Sequence, residues 1–218
     1  MALFLTGDPG VGKTTIIRAV GRKLEHFRPV GFYTEEVRAG RERRGFRLVT
    51  FGGETATIAH IDFPPPRVSK YGVDVALIDR FAASLQAASQ ESSAASVIDD
   101  EVPKQRTSEA SEPARSGAGR WGPRERAREG VRRDEVPRIY LVDEIGKMEC
   151  LSTTFVRTMK QLVESDLLLV ATVGARGGGF IDEVKRSRSA EVWTVTAATR
   201  DSLPDRVVAW IETHVIHS

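Results

Sequence analysis

Gly7-Asp8-Pro9-Gly10-Val11-Gly12-Lys13-Thr14 fits the phosphate-binding pattern G-x-x-x-x-G-K-[ST]. It lies between an apolar run, Ala2 to Leu5, and a segment of helical periodicity, Thr14 to Phe27, with Ile17, Val20, Leu24 and Phe27 on one face. Strand, glycine loop and helix is the context the pattern needs. Glycines let backbone N–H groups turn inward and approach phosphate oxygens with no Cβ in the way. The following helix aims its positive dipole end at the same point. Lys13 is expected to reach the β- and γ-phosphates, and the Thr14 hydroxyl to ligate Mg²⁺. The expected nucleotide-binding set is Gly7, Asp8, Pro9, Gly10, Val11, Gly12, Lys13, Thr14 and Thr15.

Downstream, Val30 to Val37 and Gly45 to Phe51 read as two strands around a charged turn, hence an inserted β-hairpin. Glu54 to Ile61 suggests a further short strand, and Pro64-Pro65-Pro66 a break. A helix is expected from Val73 to Ala88, with Asp74 near its start and Leu77, Phe81 and Leu85 on one stripe. Beyond the insert described next, strands are expected at Ile139 to Val142, Leu167 to Val173 and Glu191 to Thr196. Helices are expected from Ser152, as N-cap, to Ser165, from Phe180 to Ser187 and from Leu203 to Val215. Alternating strands and helices predict an α/β P-loop domain, its mainly parallel sheet flanked by helices.

From about Ser89 to Pro137 the composition turns to serine, proline and charge of both signs, with large apolar residues few and scattered. Such a segment buries too little surface to offset its ordering entropy, so a disordered insert interrupting one domain of residues 1–218 is expected. The alternative is a regulatory or nucleic-acid-binding arm using Arg120 to Arg133, which the balance of opposite charges disfavours. A net charge of +2 from 32 basic and 30 acidic residues gives no sign of a polyanion-binding protein, so nucleic acid is not an expected partner. Cys150 is the single cysteine, which excludes an internal disulfide. With the loop beginning at residue 7, no removable leader is expected, and no apolar run approaches membrane-spanning length. The expected location is therefore intracellular and cytoplasmic, away from membranes.

Ile139-Tyr140-Leu141-Val142-Asp143-Glu144 is the second informative stretch: an apolar strand ending in Asp-Glu, the Walker B pattern. In a parallel sheet the carboxyl ends of strands face the ligand crevice. Asp143 is expected to arrive beside the loop and hold Mg²⁺ through water, and Glu144 to act on an attacking water as base or positioner. The bland alternative for an Asp-Glu pair is a solvated surface, disfavoured here by the buried apolar run in front of it.

At this point the sequence resembles the small P-loop nucleoside-triphosphatase family that includes the cancer-related nucleoside-triphosphatase. The blocks that carry the resemblance are F-L-T-G-D-P-G-V-G-K-T-T at 4–15, G-F-Y-T-E-E-V-R at 31–38 and G-F-R-L-V at 45–49. K-Y-G-V-D at 70–74, L-V-D-E-I-G-K-M-E at 141–149 and T-R-D-S-L-P at 199–204 continue it in the same order. The resemblance implies a RecA-like P-loop fold and Mg²⁺-dependent hydrolysis of nucleoside triphosphates to diphosphate and phosphate, with broad base tolerance.

Several residues have both a functional and a structural interpretation. Lys147 is a candidate γ-phosphate contact or a surface lysine; Glu149 a site residue or a salt-bridge partner; Thr172 a γ-phosphate sensor or a buried backbone-bonded threonine. Arg176 is a candidate for neutralising transition-state charge. Arg200 and Asp201 are candidates for the base site or for a helix-entry ion pair, and Tyr33, Thr34 and Glu35 for the mouth of the phosphate site. The histidines lack metal-ligand spacing, and Cys150 reads as packing. Two other functions use the same loop: a nucleoside or nucleotide kinase, with Arg176, Arg186 and Arg188 as a lid, and a nucleotide-gated switch for RNA or a protein partner. The preferred base, the physiological substrate and the oligomeric state leave no mark in the sequence.

Overall fold

The computed structural model describes residues 1–97 and 138–215. The elements are β1 (Ala2–Gly7), α1 (Lys13–Lys23), β2 (Val30–Ala39), β3 (Glu42–Thr50), β4 (Thr55–His60), β5 (Arg67–Val68), β6 (Tyr71–Val73) and α2 (Val75–Val97). They continue with β7 (Ile139–Ile145), α3 (Thr153–Glu164), β8 (Leu168–Gly174), α4 (Phe180–Lys185), β9 (Ala190–Thr194) and α5 (Leu203–Val215). Residues 98–137, which hold most of the expected disordered insert and Arg120 to Arg133, lie outside the described residues.

Among the described residues all nine strands form one sheet, ordered β5-β6-β4-β3-β2-β7-β8-β1-β9. From β2 to β9 the neighbours pair in parallel. From β2 outward to β5 they pair antiparallel, so the expected hairpin of β2 and β3 extends the sheet rather than standing apart from it. β8 intervenes between the strand that feeds the phosphate loop and the strand that carries Asp143, as in RecA-like sheets.

The central parallel strands β1, β7 and β8 are largely apolar because both faces are covered. Successive residues of a strand point to opposite sides. Phe4, Tyr140, Val142, Leu169 and Ala171 enter one core with Phe155, Met159 and Leu162 of α3 and Leu77, Ile78 and Leu85 of α2. Leu3, Leu5, Ile139, Leu141, Leu168 and Val170 enter the other with Ile16, Ile17 and Val20 of α1 and Val207 and Ile211 of α5. The expected cap at Ser152 forms, its Oγ accepting from Phe155 N at 2.8 Å, and Asp74 caps α2, its Oδ1 accepting from Leu77 N at 2.9 Å.

Several element ends differ from expectation, most by one to three residues, and some differences have a physical reason. α1 ends at Lys23, and a 3-10 turn, Glu25–Phe27, completes the stretch in which Phe27 still packs on the core. β5 and β6 fall where a break and a helix entry were expected; strands of two and three residues are too short to leave a two-residue period. α2 continues past Ala88 to Val97. The onset of serine and polar residues at 89 reads as the end of order, but the interspersed alanines sustain a helix.

Candidate functional site

The loop between β1 and α1 turns as the motif requires. Gly10 and Gly12 have φ of 79° and 112°, backbone that favours glycine, and Gly12 leads directly into the first turn of α1. Lys13 is 8% exposed, and its ammonium donates to the carbonyls of Gly7 at 2.9 Å and Asp8 at 3.3 Å. The lysine thus arches back over its own loop, holding its charge against the carbonyls of Gly7 and Asp8.

Asp143 arrives from β7, two strands away in the sheet. Its Oδ2 accepts from Thr14 Oγ1 at 2.7 Å, and its Oδ1 from Thr172 Oγ1 of β8 at 2.6 Å. Thr34 of β2 approaches Oδ2 through both N–H and hydroxyl at 3.4 Å. Asp143 is 1% exposed and Thr172 is fully buried, so this carboxylate is fixed by donors from three other elements. Thr172, read from sequence as either a phosphate sensor or a backbone-bonded threonine, orients the aspartate instead.

Glu144 follows where the β7–β8 register shifts, between Val142 and Ile145. The Asp143–Glu144 peptide is cis. Glu144 lines a cavity of about 500 Å³ together with Lys13, Lys147, Glu149 and Arg176. Burial raises its carboxyl above the ordinary value and the neighbouring Asp143 raises it further, while Lys13 pulls it back. Glu149, 5% exposed, opens a 3-10 turn (Glu149–Leu151) on the same wall. Its carboxyl is pushed up to about 8 by burial, against the pull of the backbone N–H groups of Glu149 and Gly146, with Glu144 and Asp143 adding to the rise. The two glutamates meet at Gly146. A Cβ there would lie 2.7 Å from Glu144 Oε1, 2.8 Å from Glu149 Oε2 and 2.9 Å from Glu144 Cγ. That glycine, and the apolar cavity wall of Phe46, Val68, Met148 and Ile181, were not found from sequence. Only the D-E-I-G-K-M-E block hinted at Gly146.

The remaining candidates separate cleanly. Thr34 points to the site, but Tyr33 and Glu35, one residue either side on the strand, face away. Tyr33 lies under the Arg18 guanidinium, and Glu35 pairs with Arg18 and Arg47. Arg176 and Lys147 line the cavity and are exposed. Arg186 lines a different groove, with Lys160 and Glu183. Arg200 and Asp201 line a second hollow of about 370 Å³ on the far side of the loop, with Gly12 and Thr15. Cys150 packs against the core with its thiol pushed up to about 12, chiefly by burial.

Thr14 and Asp143 offer a divalent cation a hydroxyl and a carboxylate that already touch one another, both hard oxygen donors. Among the described residues no group of three or more His, Cys, Asp or Glu side chains forms a metal cage. A cation shared with phosphate oxygens and water suits such a donor set. Among the described residues no helix is long and apolar enough to cross a membrane.

Comparison with known proteins gives a consistent result. A family model described as NTPase matches residues 2–104 and 124–208. The chain is 28% identical over 211 residues to the nucleoside-triphosphatase THEP1 of Thermotoga maritima, covering 96% of this chain and 94% of that one. It is 29% identical over 222 residues to the human cancer-related nucleoside-triphosphatase, covering 96% of each. The crystal structure of THEP1 from Aquifex aeolicus superposes with a TM-score of 0.70 at 26% identity, covering 97% of this chain and 99% of that one. The solution structure of the human protein superposes with a TM-score of 0.65 at 28% identity, covering 97% of each.

Proposed function

The chain belongs to the NTPase family, and on that footing we propose that it hydrolyses nucleoside triphosphates to diphosphate and phosphate, with Mg²⁺ and with broad base tolerance. The observation that carries this proposal is the hydrogen bond between Thr14 and Asp143, 129 residues apart, whose chain neighbours Lys13 and Glu144 line one cavity.

The residues divide the work. The backbone N–H groups of residues 10–15 and the Lys13 ammonium take the place of water around the phosphate oxygens; Lys13 exchanges its loop carbonyls for the β- and γ-phosphates. Thr14 and Asp143 would hold Mg²⁺, which would supply charge neutralisation to the phosphate oxygens. Thr172 and Thr34 keep Asp143 in register. Glu144 accepts a proton from the attacking water and orients it in line with the γ-phosphorus. Its raised carboxyl brings its basicity closer to working pH. Arg176 and Lys147 line the same cavity and supply cationic cover for the departing phosphate.

The proposal is tested by phosphate release from ATP, GTP, CTP and UTP, with and without Mg²⁺ and with no acceptor present. Mg²⁺-dependent release from all four is expected. Transfer only to an added acceptor would establish a kinase instead, and release only in the presence of a partner a switch.

A further inference from the structure

Two hollows flank the phosphate loop. The larger holds Glu144, Lys147 and Arg176, the groups suited to the γ-phosphate. The smaller is walled by Gly12, Thr15 and Ala19 of the loop and α1, by Arg200 and Asp201 of the segment between β9 and α5, and by Pro204 in the first turn of α5. A triphosphate lying along the loop with its γ end in the first hollow sends its nucleoside out past Thr15, into the second. This direction rests on the hydrolase proposal, because that proposal fixes which end is γ.

The second hollow is built rather than incidental. β9 pairs with β1, and Val195 N just beyond it donates to Thr6 O at 2.7 Å, tying the segment to the strand that feeds the loop. Thr196 and Thr199 then clasp one another: Thr196 N donates to Thr199 Oγ1 at 3.0 Å and Thr199 N to Thr196 Oγ1 at 3.3 Å. Arg200 N donates to Thr196 O at 3.0 Å and Leu203 N to Thr199 O at 3.1 Å. Thus the backbone on both sides of Arg200 is pinned. The side chain runs along the loop, with its Cδ 3.8 Å from where a Gly12 Cβ would stand. Its side chain is about half exposed, and its only ion pair among the described residues is a 3.5 Å contact with Asp201, whose side chain is 90% exposed. Such a pair is weak and screened, so the planar face of Arg200 is free to accept a ligand.

We propose that Arg200 is the nucleobase platform: its guanidinium, carried on a stem that passes beside Gly12 from backbone fixed by the Thr196–Thr199 clasp, stacks on the base of the bound nucleotide. A guanidinium plane stacks on any aromatic ring, and stacking does not read the hydrogen-bonding edge. Purines and pyrimidines are held alike, which gives a physical basis for base tolerance.

The test separates nucleoside from phosphate. Calorimetry measures the affinity of wild type, Arg200→Ala and Arg200→Lys for the non-hydrolysable imido analogues of ATP, GTP, CTP and UTP, and for inorganic tripolyphosphate, all with Mg²⁺. Arg200→Ala is expected to weaken all four analogues by about tenfold, the scale of losing one stacking contact, while tripolyphosphate affinity stays within about twofold. Arg200→Lys keeps the charge but not the plane, and is expected to remain weakened. Unchanged analogue affinity in Arg200→Ala, an equal loss for tripolyphosphate, or full recovery in Arg200→Lys would each overturn the platform. A wild type that binds tripolyphosphate as tightly as the analogues overturns it too. Failure of the hydrolase proposal shows differently: the binding pattern would hold while wild type released no phosphate.

Discussion

Thr172 Oγ1 donates to Asp143 Oδ1 at 2.6 Å from the neighbouring parallel strand, leaving Oδ2 to face Thr14. One carboxylate oxygen is thus committed to the scaffold and the other to the site. Removing the anchoring hydroxyl while keeping the shape isolates its contribution. Thr172→Val is expected to raise the Mg²⁺ concentration for half-maximal phosphate release by about tenfold, the scale of losing an outer-shell partner. An unchanged metal dependence would reduce Thr172 to a packing residue.

Glu144→Gln keeps volume and hydrogen bonding but cannot accept the proton. Phosphate release is expected to fall by about 10²–10⁴-fold, with nucleotide affinity by calorimetry nearly unchanged. Turnover close to wild type would remove Glu144 from the mechanism.

Gly146→Ala places a methyl within 2.9 Å of Glu144 Cγ and of a carboxylate oxygen from each of Glu144 and Glu149. Glu144 must move, and displacement of a reacting group by about 1 Å costs on the order of 10²-fold. A drop in kcat with little change in the melting temperature is the expected signature. The idea fails if kcat holds, because the two glutamates would then tolerate separation.

Glu149 makes stability depend on pH in a defined direction. Its carboxyl is raised from 4.5 to about 8 in the folded protein. The folded state therefore keeps a proton that the unfolded chain gives up. Stability is full below pH 4.5 and falls as pH rises towards 8, with a limiting slope of about 1.4 kcal/mol per pH unit for one proton. Glu144, also raised, acts in the same direction. Glu149→Gln is expected to melt near the wild-type temperature at pH 5 and above it at pH 8. Denaturation curves of the metal-free protein at both pH values check this; equal shifts at both would show that the carboxyl does not titrate in this window.

The strand-loop-helix arrangement and the Asp-Glu ending of a buried strand were legible because each is local. Glycine backbone, dipole direction and apolar runs are written in consecutive residues. The alternating pleat was also legible in principle: it sends Thr34 to Asp143 and turns Tyr33 and Glu35 outward. The segment 33–35 alone does not say which face is the site, so all three were equal candidates.

What the sequence determined by itself is therefore the glycine loop between strand and helix, the Asp143-Glu144 ending of a buried strand and the two-sided burial of β7 and β8. Tertiary structure alone decided that β8 stands between β1 and β7 and brings Thr172 to Asp143. It also decided that Glu144 and Glu149 close on Gly146, and that Arg200 lies across the loop from the Glu144 cavity. The physical reason is range. Backbone preference and periodicity act over a few residues, whereas these contacts join segments whose proximity is set by strand order and by the packing of helices on the two sheet faces.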